Sequence, residues 1–169
     1  MYRYKNIGFR PIDESDLELL RRNRNDFETL FFLGNVDLVS STQQTEWWQS
    51  ISRSKTQMWF CVIEEEYENV IGVLRFQNID YINNCCEIGA DVFKEHRGKG
   101  YGILIYRMAL EYLFEHFNIN TVYLHVAEFN ERAIFLYKKI GFQQTGCIPK
   151  AIYRKGRYWD NLIFAITKL

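Results

Sequence analysis

The sequence predicts an α+β (mixed α/β) domain, with a mostly antiparallel central sheet of about seven strands flanked by about four helices. Three observations carry this. Apolar residues recur with a period of two in several short segments and with helical spacing in others. Within 58–93 the connections are too short for crossover helices, so the strands there form an antiparallel meander. No repeat, low-complexity run or linker interrupts the 169 residues, so 1–169 is expected to be one domain.

Residues 5–10 read as a short strand ended by Pro11. Asp13, Glu14, Ser15 and Asp16 supply N-cap chemistry, with Ser15 and Glu18 at capping-box spacing. The helix they open carries Leu17, Leu19 and Leu20 and runs to about Asn25. The aromatic stretch 27–38 fits neither period, and 42–53, with Trp47, Trp48 and Ile51, reads as a second helix. Strands follow at 58–63, 70–79 and 85–93, joined by an acidic turn at 64–69 and by Asn83-Asn84. Over 100–117, Ile103, Leu104, Met108, Leu110 and Leu113 fit a helix. Val122, Leu124 and Val126 alternate with Tyr123 and His125 as a strand should. Residues 131–140 form a further helix, stopped by Gly141 at the C′ position. A hairpin of 142–153 and 158–166 turns at Lys155-Gly156.

The composition, 47% hydrophobic and 25% charged, is that of a globular chain. Lys plus Arg and Asp plus Glu each total 21, which argues against a nucleic-acid or membrane-surface binder. The balance is uneven along the chain: 9 basic and 13 acidic residues over 1–84, 12 and 8 over 85–169. No apolar run reaches the roughly 18 residues of a membrane span, and the start lacks a signal-peptide apolar region. Cys61, Cys85, Cys86 and Cys147 have no C-x-x-C spacing, so a metal site is not expected and a reduced, cytoplasmic chain is.

Arg97-Gly98-Lys99-Gly100-Tyr101-Gly102 lies between an apolar strand end and an amphipathic helix. Alternate glycines leave backbone N–H groups uncovered at the positive end of a helix dipole, and Arg97 and Lys99 add charge, a combination that binds phosphate. A glycine-rich turn with solvated charges has the same appearance. The spacing fits neither a P-loop nor a dinucleotide fingerprint. Further on, Asn130, Ala133, Tyr137, Gly141 and Phe142 spell N-x-x-A-x-x-x-Y-x-x-x-G-F. Asn130 can cap the helix, Ala133 and Tyr137 share one face, and Gly141 ends it.

With R-x-x-G-x-G at Arg97, Gly100 and Gly102, and this second motif one strand later, the chain resembles the GNAT superfamily of acyl-CoA-dependent N-acyltransferases. The likeness runs from about Ile7 to Ile166. Glu87-Ile88-Gly89, the loop R-G-K-G-Y-G and Gly156-Arg157-Tyr158-x-Asp160 look like the branch that acetylates ribosomal-protein N-termini, polyamines and nucleotide-linked amino sugars.

The resemblance implies acetyl-CoA as cosubstrate, no metal, and direct attack of a primary amine without an acyl-enzyme. It places the cosubstrate against Ala90, Asp91 and Val92, with a backbone N–H as oxyanion donor and a bulged strand around 89–92. Its phosphates fall to Arg97, Gly98, Lys99, Gly100, Tyr101 and Gly102, with Asn130 and Arg132 closing the site. Tyr137 is the expected general acid toward the leaving thiolate. Glu87 is the expected catalytic carboxylate, taking the amine proton through water or lining the cleft as a binding group. His96, His116 and His125 receive no role. The acceptor is expected to be a small amine or amino sugar, and a protein N-terminus is the alternative. A non-catalytic acyl-CoA-binding module is a third reading, and a homodimer is left open. Selectivity falls to the first two helices, the loop between them and the final hairpin, where Arg21, Arg22, Arg24, Trp47, Trp48 and Trp59 stand. The charge asymmetry suggests a basic half for a polyanionic donor and an acidic half for a cationic acceptor.

Overall fold

The computed structural model describes residues 1–66 and 68–168, so Tyr67, within the expected acidic turn, lies outside it. Eight strands among the described residues form one sheet in the order β1-β2-β3-β4-β5-β6-β8-β7. Every neighbouring pair is antiparallel except β5 with β6. The strands are β1 (Tyr2–Tyr4), β2 (Ile7–Pro11), β3 (Met58–Glu64), β4 (Asn69–Asp80), β5 (Cys85–Val92), β6 (Thr121–Ala127), β7 (Gln143–Arg154) and β8 (Arg157–Thr167). The α-helices are α1 (Leu17–Arg24), α2 (Phe27–Phe32), α3 (Ser41–Ser52), α4 (Tyr101–Glu111) and α5 (Glu131–Ile140). The mixed sheet agrees with expectation; β1 and α2 are additions.

Successive strand residues face opposite sides of a sheet, and β3 shows why two helical layers are needed. Cys61 and Ile63 join a cluster with Ile12, Leu17, Leu20 and Ile51, under α1 and α3. Val62 joins Phe76, Leu74, Ile105, Met108 and Leu113 on the other side, under α4. Phe76 is fully buried, its ring against Phe9, Phe60 and Tyr112.

Several details depart from the sequence reading. The box at the first helix uses Asp13 and Asp16, not Ser15 and Glu18: Asp16 Oδ2 accepts from Asp13 N at 2.8 Å. A 3₁₀ turn at Glu14–Asp16 precedes α1, so the cap sits two residues early. The helix expected over 100–117 becomes π-helical at Tyr112–His116. Its buried face includes Ile105 and Tyr106, while Ile103 and Leu104 are only half-buried. The aromatic stretch becomes α2, capped by Asp26, whose carboxylate accepts from Thr29 N. At the final hairpin Lys155 and Gly156 both have positive φ, 49° and 76°, as a two-residue I′ turn requires.

Candidate active site

β5 pairs with β6 only over Cys85, Cys86 and Glu87, and from Ile88 onward the two parallel strands separate. Phe93 N donates to Ile71 O of β4 at 2.9 Å. Because amides alternate along a strand, Asp91 also faces β4, while Ala90 and Val92 turn their N–H and C=O toward the gap. Val92 O accepts from Arg97 Nε there at 3.0 Å. The expected bulge at 89–92 is absent: pairing is regular from Gly72↔Val92 to Gln77↔Glu87. The irregularity falls instead between Gln77 and Asp80, where Asn78 has φ 50°.

The gap opens into a cavity of about 570 Å³, walled by Ala90, Asp91 and Val92, by Arg97, Gly98, Gly100, Tyr101 and Gly102, and by Asn130, Arg132 and Tyr137. Gly98 and Gly100 have φ of 82° and 85°, and a Cβ at either would meet nothing within 4 Å. Gly100 is the N-cap of α4 and carries no side chain to cover the first-turn amides. That uncovered turn is a physical fit for phosphate oxygens. Gly102 serves packing, since a Cβ there would stand 2.6 Å from Leu136 Cδ1 on α5.

The expected site residues are not equivalent. Arg97 is committed, donating also to Thr29 Oγ1 at 2.7 Å, and Lys99 does not line the cavity. The Tyr101 hydroxyl donates to Glu64. Asn130 uses its Oδ1 to cap α5 at Ala133 N, so its contribution to the cavity wall is separate from that bond.

Tyr137 is buried under the floor of this cavity, its hydroxyl 3.1 Å from that of Tyr106. With Tyr106 as donor, the proton of Tyr137 is left for the cavity. Burial raises the Tyr137 pKa above the ordinary tyrosine value, although the bond from Tyr106 and the charge of Arg75 oppose the shift. Burial raises Tyr106 further. Both phenols therefore stay protonated at neutral pH. Arg75 pairs with Asp91 at 2.6 Å and crosses Gly89, where a Cβ would stand 2.5 Å from the guanidinium. Burial works against the charge of Arg75, but Asp91 outweighs it and the pKa rises.

A second cavity of about 390 Å³ lies on the opposite helical layer, among Leu20, Asn23 and Arg24 of α1, the 33–39 segment, Gln44 and Trp47 of α3, and Trp59. Thr29, Asp91, Val92 and Arg97 line both cavities, so the two meet at the separated end of β5. The wall is tied down from two sides. Asn25 exchanges two bonds with Val39 at 2.8 and 2.9 Å. Arg154, at the final hairpin, donates to the carbonyls of Phe31, Leu33 and Gly34.

Glu87 lies away from both cavities. Its carboxylate takes Asn78 Nδ2 at 2.8 Å and His125 Nδ1 at 3.1 Å. Glu87 is on the face of β5 that holds Asp91 but four residues away, roughly 13 Å along the strand. The tandem tryptophans separate as helical geometry demands: Trp47 packs edge-on to Trp59 in the cavity, and Trp48 Nε1 bonds Ile12 O.

The acidic excess of the first half is not gathered around the second cavity. Glu64 is bonded by Tyr101 and Glu65 pairs with Arg3, both at the β3–β4 end, while the second cavity holds Arg24 and Arg97 with Asp37 and Asp91. Sequence reasoning missed Tyr106, Arg75 and Thr29 as parts of the site. Arg75 and Tyr106 sit in an apolar strand and an apolar helix with no motif around them. Gly89 was the one available signal, a strand glycine that marks a close approach.

The family model of the GNAT acetyltransferase domain matches residues 6–143. The spermidine N(1)-acetyltransferase of Vibrio cholerae is 28% identical over 154 residues, covering 91% of this chain and 88% of that one. A crystal structure of spermidine N-acetyltransferase from Vibrio cholerae with CoA and spermine has a TM-score of 0.92 at 26% identity. It covers 97% of this chain and 96% of its own. A dodecameric structure of that enzyme scores 0.84 at 25% identity, covering 97% and 95%. Among the described residues no group of three or more His, Cys, Asp or Glu could hold a metal ion, and no helix is long and apolar enough to cross a membrane. With the separated strands, the uncovered α4 amides and the protonated Tyr137 already in place, the match over 6–143 settles the lineage: this chain belongs to the GNAT acetyltransferase family and is an acetyl-CoA-dependent N-acetyltransferase.

Proposed function

We propose that the chain acetylates the primary amine of a small molecule held in the α1–α3 cavity, at the point where that cavity meets the cosubstrate cleft. The observation that carries this is the sharing of Asp91 and Val92 by two cavities, one of which ends on Tyr137. The amides of Ala90 and Val92 hold the pantetheine arm in strand-like pairing and polarise the thioester carbonyl. The first-turn amides of α4, with Gly98, Gly100 and Arg132 beside them, take the phosphates. Tyr137 gives its proton to the sulfur as the C–S bond breaks and the N–C bond forms. The surplus amine proton passes to water.

Glu87 is left outside this contact set. Glu87→Gln should cost far less in kcat than the roughly 10²–10⁴-fold that a positioned general base supplies. A loss within that range, with a shifted low-pH limb, would restore Glu87 as the base acting through water.

A peptide N-terminus is the second reading, favoured by exposed Phe27, Phe32, Val36 and Leu38 on α2 and the following segment. The relatives described above are named for small polyamines, and the 33–39 segment walls the acceptor cavity. A homodimer remains part of the proposal.

Release of free CoA thiol across small amines, amino sugars and peptides tests the reading; acetylation of peptides alone would reject it. Thermal stabilisation by acetyl-CoA should accompany turnover and weaken as salt rises, because the donor phosphates meet exposed cations. A salt-independent Kd would remove charge from the account of donor binding.

A further inference from the structure

We infer that the acceptor carries an anionic group beside its amine, and that Arg24 binds that group. The inference rests on the small-amine reading above and narrows it. Arg24 is the last residue of α1, where a cation suits the helix dipole, and it lines the acceptor cavity, half-buried instead of running out to solvent. Nη2 donates to Asn35 O at 2.9 Å, whereas Nη1 is buried and has no partner. Among the described residues no carboxylate lies within ion-pair distance of Arg24. Burial lowers its pKa despite the more distant charges of Asp91 and Asp37, the mark of a guanidinium short of compensation.

The other charges in the cavity are already committed or open to water. Asp91 is held by Arg75 at 2.6 Å. Arg97 spends Nε on Val92 O and Nη2 on Thr29 Oγ1. Asp37 is exposed. What remains inside, among the described residues, are two guanidiniums without a carboxylate partner, Arg97 and Arg24, the latter beside Leu20, Val39, Trp47 and Trp59. A guanidinium that lines a cavity with no carboxylate partner attracts an oxyanion brought by a ligand, and a charge-assisted hydrogen bond is the strong kind. A polycation would instead set a second ammonium against Arg24. The mostly apolar walls favour an acceptor with a ring or chain between amine and anion. Carboxylate and phosphate satisfy the same geometry, and a substrate series distinguishes them.

The experiment compares matched acceptors by free-thiol release: tyrosine against tyramine, glucosamine 6-phosphate against glucosamine, and spermidine. The anionic member of at least one pair should be favoured in kcat/KM by at least about tenfold, the worth of a charge-assisted hydrogen bond. The pair that shows it names carboxylate or phosphate. In Arg24→Gln that ratio should fall to near one. A structural role for Arg24 would lower both members together and keep the ratio, which overturns the inference. Equal use of both members by the wild type, or preference for spermidine, overturns it too and leaves the small-amine reading standing. Acetylation of peptides alone removes both.

A measurement independent of the acceptor uses Trp47 and Trp59 as reporters. With CoA saturating the donor cleft, inorganic phosphate and succinate are titrated while tryptophan fluorescence is followed. A saturable change with either anion in the wild type, lost in Arg24→Gln, supports the inference. No change with either overturns it.

Discussion

Replacing Tyr137 by phenylalanine should lower kcat by about 10²–10³-fold, within the range of general acid catalysis, and leave the KM for acetyl-CoA nearly unchanged. The substitution keeps the ring, which packs edge-on to Tyr106 at 5.2 Å and lies against Phe142 and Phe164. It removes only the hydroxyl and its bond to Tyr106, a stability cost of about 1 kcal/mol. The fold should therefore survive, and the loss should sit in the step where the sulfur leaves. Because burial raises the pKa of Tyr137 above 10, the acid form persists across the neutral range. The wild type should thus show no alkaline decline due to this group below about pH 10. Unchanged turnover in the variant would exclude Tyr137 as the proton donor.

The second large effect is on stability. Asp16→Ala should destabilise the fold by about 2–3 kcal/mol at neutral pH, because it leaves the half-buried Arg10 guanidinium and the Asp13 amide without their acceptor. For a chain of this size that corresponds to a fall in Tm of roughly 4–12 °C. The Asp16 side chain is only 7% exposed, and it receives Arg10 Nη1 at 2.6 Å, Arg10 Nη2 at 2.9 Å and Asp13 N at 2.8 Å. These bonds join β2 to the start of α1, the helix that brings Leu20 and Arg24 to the second cavity.

The same contact sets a pH dependence. The Arg10 bonds hold the Asp16 carboxyl below its ordinary pKa in the folded chain, against the opposing effect of burial. Its stabilisation is full above the unfolded value near 3.9 and is lost as pH falls through the lower folded value. Urea unfolding of wild type and Asp16→Ala should therefore converge in strong acid. A gap that stays constant with pH would show that Asp16 acts through packing instead of charge.

Much of this architecture was readable residue by residue. The two glycine-bearing motifs at 97–102 and 130–142 stand at the mouth of one cavity, because each is set by local requirements: a left-handed turn at Gly100, a capped helix from Asn130, a stop at Gly141. The hairpin at Lys155-Gly156 and the meander of β3, β4 and β5 were likewise legible. The departures in placement are also physical. Ser15 and Glu18 have the spacing of a capping box, but Asp16 is drawn into the Arg10 contact and the cap moves to Asp13. Glu87 shares a strand face with Asp91, yet alternation alone does not say how far along β5 the cavities reach.

What local chemistry could establish was the order of elements, the glycine-rich loop before α4, the place of Tyr137 and, through the motifs, the reaction class. Period, capping and glycine conformation act over a few residues and can be read along the chain. The balance of charge in the cavity beside α1 and α3 could not be read that way. It depends on Arg75 meeting Asp91 across a strand pair, on Tyr106 and Tyr137 meeting from two helices, and on Arg24 being enclosed by the 33–39 segment. Those pairings are fixed by sheet register and helix packing, which join residues far apart in the chain. They turn a sequence half with an acidic excess into a cavity that holds an uncompensated guanidinium.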